Sequence, residues 1–223
     1  MPDVRIRFSK HGASRFISHL DLMRTLQRGF LRAGITIRHT EGYHPHPYVS
    51  IPLPLPLGFS SDCEIMEFGL VSGATMESLP AQLTAALPQG ITVLECYEKS
   101  LPFRKLTYVR YAITLEFDAQ VAQEATAAFR EMIGRENLVV TKKSKKAKTG
   151  QKELDLIPLI TSLEKTDGAG HTLTVQLLLQ AQNPGLNPDI LLNAFRQEYP
   201  HFGPIYPRFH RVDVLDPEKR SFR

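Results

Sequence analysis

The strongest constraint on this chain is an order of hydrophobic periods that occurs twice. Residues 4–8, VRIRF, alternate apolar and basic side chains, the pattern of a strand with one buried face. Leu22, Leu26, Phe30 and Ala33 then recur at helical spacing. Ser18 with Asp21 three positions on reads as a capping box, and Gly34 supplies a stop. A strand is expected at 35–40. Over 48–57 the chain is expected to be extended, with Pro52, Pro54 and Pro56 on one alternating set and Ile51, Leu53, Leu55 and Leu57 on the other. Proline cannot donate to a ladder, so this stretch reads as an edge strand or a polyproline-like segment. A strand at 64–71, a helix at 75–87 capped by Thr75 and a strand at 91–97 complete a β-α-β-β-α-β order. The same order follows again. A strand at 106–118, a helix at 119–134 and a strand at 137–143 lead through a lysine-rich linker to 155–164. A strand at 171–180, a helix at 188–199 capped by Asn187 with Pro188 in its first position, and a strand at 206–215 come last. The expected fold is α+β, two tandem ferredoxin-like modules of βαββαβ order, one over 1–100 and one over 101–223.

Several classes fall away on composition. With 223 residues, 42% hydrophobic and 22% charged, the chain has the make-up of a globular protein with a sizeable core. No apolar run approaches the roughly 20 residues that cross a bilayer, and the segment MPDVRIRFSK lacks the apolar centre of a secretion signal. Cys63 and Cys96 are the two cysteines, too few for a disulfide scaffold or a CxxC zinc site. A cytoplasmic protein is the expectation. The net charge of +4 is unevenly spread. Residues 1–47 carry +5, 48–98 carry −6, 99–152 carry +7 and 153–223 carry −2. Such blocks gather basic surface on one side of a fold.

Three stretches are specific: RFISHLDLMRTLQRGFLRAGI, EGYHPHPYVS and LPLGFSSDCE. They resemble a bacterial family of radical-SAM-linked proteins, a domain of unknown function found alone or fused to a radical SAM enzyme. The positions that carry the likeness are Arg15, Phe16, Ser18, His19, Leu20, Asp21, Arg24, Glu41, Gly42, Tyr43, Pro45, His46, Pro47, Leu57, Gly58 and Glu64. The later KELDLIPLI at 152–160 fits as well. His44 departs from the pattern, which often has Asn there. The resemblance implies a partnership with radical SAM chemistry. This chain cannot itself hold the iron–sulfur cluster of such an enzyme, because clusters need closely spaced thiolates and its two cysteines stand 33 positions apart. The radical SAM enzyme is therefore expected as a separate partner, and the sequence calls for no bound cofactor of its own.

The candidate site residues follow from side-chain chemistry. Arg24, Arg28 and Arg32 stand four apart and form one helical stripe. Their planar guanidinium groups suit phosphate, and Arg15, Arg5, Arg7 and Arg38 are expected to extend the same surface. The segment TKKSKKAKTGQK carries six lysines and no acid. Lys142, Lys143, Lys145 and Lys146 within it are candidate contacts to a phosphate backbone. Tyr43 and His46, on a turn stiffened by proline, are candidates for stacking and hydrogen bonding to unpaired bases. His19 in the first helical turn is not explained by capping and joins them. The leading expectation is an RNA-binding or substrate-presenting accessory protein. It would act with the radical SAM partner in RNA or ribosome-linked modification. A first alternative is a small nuclease or hydrolase using His19, His46 and Glu41 as catalytic groups. A metal in that case would fall to His39, His44 and His46, although the prolines between them favour diverging side chains. A second alternative is a protein-interaction scaffold that docks through the acidic block at 48–98.

Overall fold

The computed structural model describes residues 3–143, 151–204 and 206–223. The chain forms two compact units, one of Met1–Leu106 with His210–Arg223, the other of Thr107–Phe209. Helices and mostly antiparallel strands make it an α+β protein, the class that the two periods predict.

In the first unit, β1 (Asp3–Lys10) lies between β5 (Ile91–Glu98) and β4 (Ser60–Ser72), antiparallel to both. The short β2 (Thr36–Ile37) and β3 (Val49–Ser50) pair antiparallel with the far side of β4. Helices α1 (His19–Arg32) and α2 (Leu79–Ala86) supply the two crossovers. The core takes Val4, Ile6 and Phe8 from β1 and Leu22, Leu26 and Phe30 from α1, with Met66 and Phe68 of β4 beneath them. Phe30 and Phe68 meet at 4.8 Å between ring centroids. At Gly29 the two helices touch so closely that an added Cβ would stand 2.7 Å from Leu87 Cδ2. Burying Leu26, which is fully enclosed, is worth about 2–5 kcal/mol by comparison with leucine-to-alanine losses elsewhere.

Two sequence expectations change here. The strand expected over 35–40 shrinks to β2, because beyond it the chain turns back on itself. Tyr48 N–H donates to Arg38 O and Thr40 N–H to His46 O, each at 2.8 Å. The expected helix over 75–87 begins only at Leu79, with Pro80 in its first turn, while Thr75 and Ser78 hydrogen-bond each other in a preceding turn. The cap on α1 is as expected, with Ser18 Oγ accepting from Asp21 N–H at 3.2 Å.

In the second unit, β6 (Tyr108–Glu116) pairs antiparallel with β10 (Thr172–Gln180), and β10 with β9 (Ile160–Ala169). The first residues of β11 (Tyr206–Leu215) lie beside β6, where Arg208 meets Glu116 at 2.5 Å. Helices α3 (Ala122–Ile133) and α4 (Pro188–Glu198) bring Phe129 and Phe195 to 5.4 Å. Asn187 caps α4 by accepting from Asp189 N–H at 3.0 Å. The strand expected at 137–143 forms as β7 (Val139–Lys143), but it pairs with β8 (Gln151–Asp155) in a separate two-stranded ribbon. The place beside β10 goes to β9 instead. Periodicity finds strands; it does not say which strand each will pair with.

Candidate functional site

The motif residues of the first unit fall into two groups, and burial separates them. Toward the interior stand Lys10, Glu64 and Arg211, each with about 1–2% of its surface exposed. Arg211 Nη1 donates to Glu64 Oε1 at 2.8 Å and to Leu53 O at 2.7 Å, and Nη2 reaches Pro54 O at 3.4 Å. Lys10 Nζ donates to Ile17 O at 2.9 Å and to Arg15 O at 3.4 Å. Gly58 N–H donates to the same Arg15 carbonyl at 2.9 Å, from a φ of +85° that favours glycine. Thus the stretches RFIS and PLPLG are sewn to the sheet by two buried cations that satisfy backbone carbonyls which no ladder satisfies. The prolines at 52, 54 and 56 do not form an extended edge strand; their segment is held by Arg211. Burial lowers the pKa of Lys10, opposed by the charge of Glu64 and reinforced by that of Arg211. Burial, with Glu64 adding to it, pushes the Cys63 thiol up to about 12.

Arg5 and Arg7 do not extend a basic surface. Arg5 is fully buried, paired with Glu67 at 2.9 Å and stacked on Phe103 at 4.2 Å. Arg7 is paired with Asp213 at 2.8 Å. The acidic block at 48–98 is likewise partly internal, since Glu64 and Glu67 are buried partners of arginine.

The exposed side of α1 is different. Leu20, Arg24, Arg28 and Leu31 stand three or four residues apart and are all exposed. Among the described residues Arg24 pairs weakly with Asp21 at 3.3 Å. Arg32 is spent on structure, its guanidinium donating twice to Ala86 O at 3.0 and 2.7 Å. Gln27 Nε2 donates to Pro47 O at 3.0 Å and so fastens the turn at 42–47 to this helix. Gly42 gives that turn its φ of +124°. Tyr43 stands fully exposed on it. His46 is tethered through Nδ1 to Thr40 Oγ1 at 3.1 Å and to His44 O at 3.2 Å, leaving Nε2 as its outward nitrogen. Arg15 lies over Phe16 at 4.7 Å. His19 is half-buried, with Nδ1 enclosed and without a hydrogen-bond partner among the described residues.

The sequence candidates therefore separate. Arg24, Arg28, Tyr43 and His46 are exposed on α1 and the turn that Gln27 fastens to it. Among the described residues no hydrogen bond or ion pair joins His19, Glu41 and His46 to one another. Nor do His39, His44 and His46 converge as metal ligands. Lys142 and Lys143 lie on β7, and Lys145 and Lys146 fall outside the described residues.

One cluster escaped the sequence reading. Asp62 Oδ1 stands 2.9 Å from His11 Nε2 and Asp62 Oδ2 2.8 Å from His210 Nε2. The two imidazoles stack at 5.7 Å, and Ser60 Oγ is 2.9 Å from His210 Nδ1. Three strands bring these residues together. Lys10 pairs with Ser61 across β1 and β4, and His210 and Arg211 run parallel to Ser60 and Ser61 across β11 and β4. No spacing motif could have found this set, because 148 residues separate Asp62 from His210. The sequence signal was slight: Asp62 falls in LPLGFSSDCE and His11 directly follows MPDVRIRFSK.

Comparison with known families places the chain. A model of bacterial proteins described as uncharacterized and conserved (DUF2344) matches residues 4–188. The chain belongs to the DUF2344 family. No curated protein matches this DUF2344 chain. Among solved structures, a chain of a Cbf5-Nop10-Gar1 complex is similar in fold, with a TM-score of 0.50 and 7% identity. That match covers 95% of the DUF2344 chain and 48% of the other, so the present chain spans about half the length of its structural relative. A second structure, of an unknown protein from Galdieria sulphuraria, matches with a TM-score of 0.27 and 11% identity over 95% of this chain and 98% of that one. No helix among the described residues is long and apolar enough to cross a membrane.

Proposed function

We propose that this protein is an RNA-binding accessory factor that presents its substrate to a separate enzyme. The observation that carries the reading is the exposed face of α1, where Arg24 and Arg28 lie on the helix to which Gln27 fastens the turn bearing the fully exposed Tyr43. Arginine forks engage phosphate oxygens, and an open aromatic ring offers a stacking platform to an unpaired base. Leu20 and Leu31 on the same face add apolar area suited to ribose and base surfaces. The strand orders β5-β1-β4-β2 and β11-β6-β10-β9 support two ferredoxin-like modules, with the β7–β8 ribbon as an insertion in the second. The fold likeness to a component of a multi-protein complex fits a factor that works with partners. The resemblance to radical-SAM-linked proteins supports a radical SAM enzyme as the partner. RNA, not that enzyme, is the ligand of the α1 face in this reading.

The test is binding of the purified protein to cellular small RNA across a salt series. The expected result is binding that weakens steeply with salt, with a log–log slope of about −0.7 per phosphate contact on single strands. Replacing Arg24 and Arg28 by glutamine should make the slope shallower by roughly one to two contacts. Tyr43→Ala should weaken binding about 5- to 100-fold, the range of one lost base stack. Undiminished binding by the Arg24→Gln/Arg28→Gln protein would mean that RNA, if bound, is bound elsewhere.

A further inference from the structure

We infer that His11, Asp62 and His210 form a binding site for one divalent first-row transition-metal ion. The site is independent of the RNA-binding face. It lies at the end of β1, at the start of β4 and on β11, and draws one ligand from each of three chain segments. The ligand atoms are His11 Nε2, His210 Nε2 and a carboxylate oxygen of Asp62, all within 4.8 Å of one another. Metal bonds of about 2.1 Å set at 90–110° place neighbouring ligand atoms roughly 3.0–3.5 Å apart. The 2.9 Å contact of His11 is to Asp62 Oδ1 and the 2.8 Å contact of His210 is to Oδ2, so each carboxylate contact is already near this spacing, and the two imidazoles have to close on the ion from within 4.8 Å.

Chemistry selects the ion. Two imidazoles with one carboxylate suit zinc, iron, cobalt, nickel or manganese, whereas magnesium and calcium favour all-oxygen sets. The surroundings are those of a ligand set held in orientation. Ser60 Oγ lies 2.9 Å from His210 Nδ1, placed to accept a hydrogen bond from Nδ1–H in the tautomer whose Nε2 would ligate the ion. His11 is anchored by its own N–H, which donates to Gly90 O at 2.7 Å. The side chains are 46%, 50% and 28% exposed for His11, Asp62 and His210, so an ion can enter from solvent and keep positions open for water or an anionic oxygen. Three protein ligands with open positions are the arrangement of reactive rather than purely structural sites.

The plain alternative is that Asp62 simply bridges two histidines as an ion pair. Titration of the metal-free full-length protein with Co²⁺, followed by its visible absorption, separates the two, with Zn²⁺ competition and metal analysis giving the stoichiometry. The expected result is one equivalent of ion per chain, with affinity reduced at least about 100-fold in Asp62→Ala and about 10- to 100-fold in Ser60→Ala. The double variant His44→Ala/His46→Ala should bind as the unaltered protein does. A readout on the unaltered protein needs no variant to fold: carbethoxylation mapped by mass spectrometry. Zn²⁺ should protect His11 and His210 and leave His39, His44 and His46 reactive. Absence of one-equivalent binding, protection of the 39–46 histidines instead, or undiminished binding by Asp62→Ala would each overturn the assignment.

Discussion

Lys10, Glu64 and Arg211 on one side, and His11, Asp62 and His210 on the other, are near neighbours in sequence on the same three strands, yet they meet opposite fates. The first set is sealed at about 1–2% exposure, while the second stands open at the strand ends. Alternation separates Arg211 from His210, whereas Asp62 and Glu64, two apart on β4, differ because Asp62 lies nearer the open end of the strand, and His11 follows the last residue of β1. Burial turns a charge into a structural obligation, because each buried ion must be matched by partners. Exposure leaves a charge free to bind something else at little cost to the fold. In this unit, then, the basic and acidic residues that look most functional in the sequence include some that are structural, and the pattern of exposure tells them apart.

The comparison can be broken first at Arg211. Arg211→Met should cost about 3–5 kcal/mol, because Glu64 is left buried and Leu53 O loses its donor. Urea unfolding checks this, and a loss under about 1 kcal/mol would mean that the pair is not sealed. Lys10→Met comes next, at about 1–3 kcal/mol, because Ile17 O loses the Lys10 ammonium and Arg15 O is left with Gly58 N–H. The alkaline limb supplies a third test. Cys63 has its folded pKa raised from 9.0 to about 12. The folded state thus keeps a proton that the unfolded state gives up. The stability this contributes is present below pH 9 and is lost as pH rises toward about 12. Cys63→Ala should flatten that limb in a stability–pH profile, and an unchanged slope would show that the thiol is not desolvated. The smallest effect sharpens the contrast. In metal-free buffer Asp62→Asn should change stability by no more than about 1 kcal/mol, the worth of exposed ion pairs.

Much of this was legible in the sequence, for reasons that differ from element to element. Leu22, Leu26 and Phe30 announce α1 because one apolar stripe is enough to bury a helix, and Ser18 fixes where it starts. Residues 35–40 look strand-like throughout, yet only Thr36–Ile37 pair as a strand, because the hydrogen bonds of the residues after them go to a turn. VRIRF reads as half-buried, yet Arg5 is enclosed by Glu67, Phe103 and Phe222, the last 217 positions away along the chain. Such long-range burial leaves no local signature. For the same reason Arg24, Arg28 and Tyr43 could be read as exposed from the helix and turn that carry them, whereas His210 beside Asp62 could not.

Arg211 lies 147 positions after Glu64, the carboxylate it neutralises. During synthesis, the first unit therefore emerges with its central acid unanswered while the whole of 107–209 is still being made. At roughly 5–20 residues per second, the 147 positions from Glu64 to Arg211 take about 7–30 s to make. The early chain must wait, holding Lys10 and Glu64 in a half-finished sheet, until a late strand delivers the missing cation. A nascent chain stalled before residue 206 should be readily cut by protease within 1–106, and one extended past residue 215 and clear of the ribosome should resist. In this protein the order of manufacture and the order of completion run in different directions.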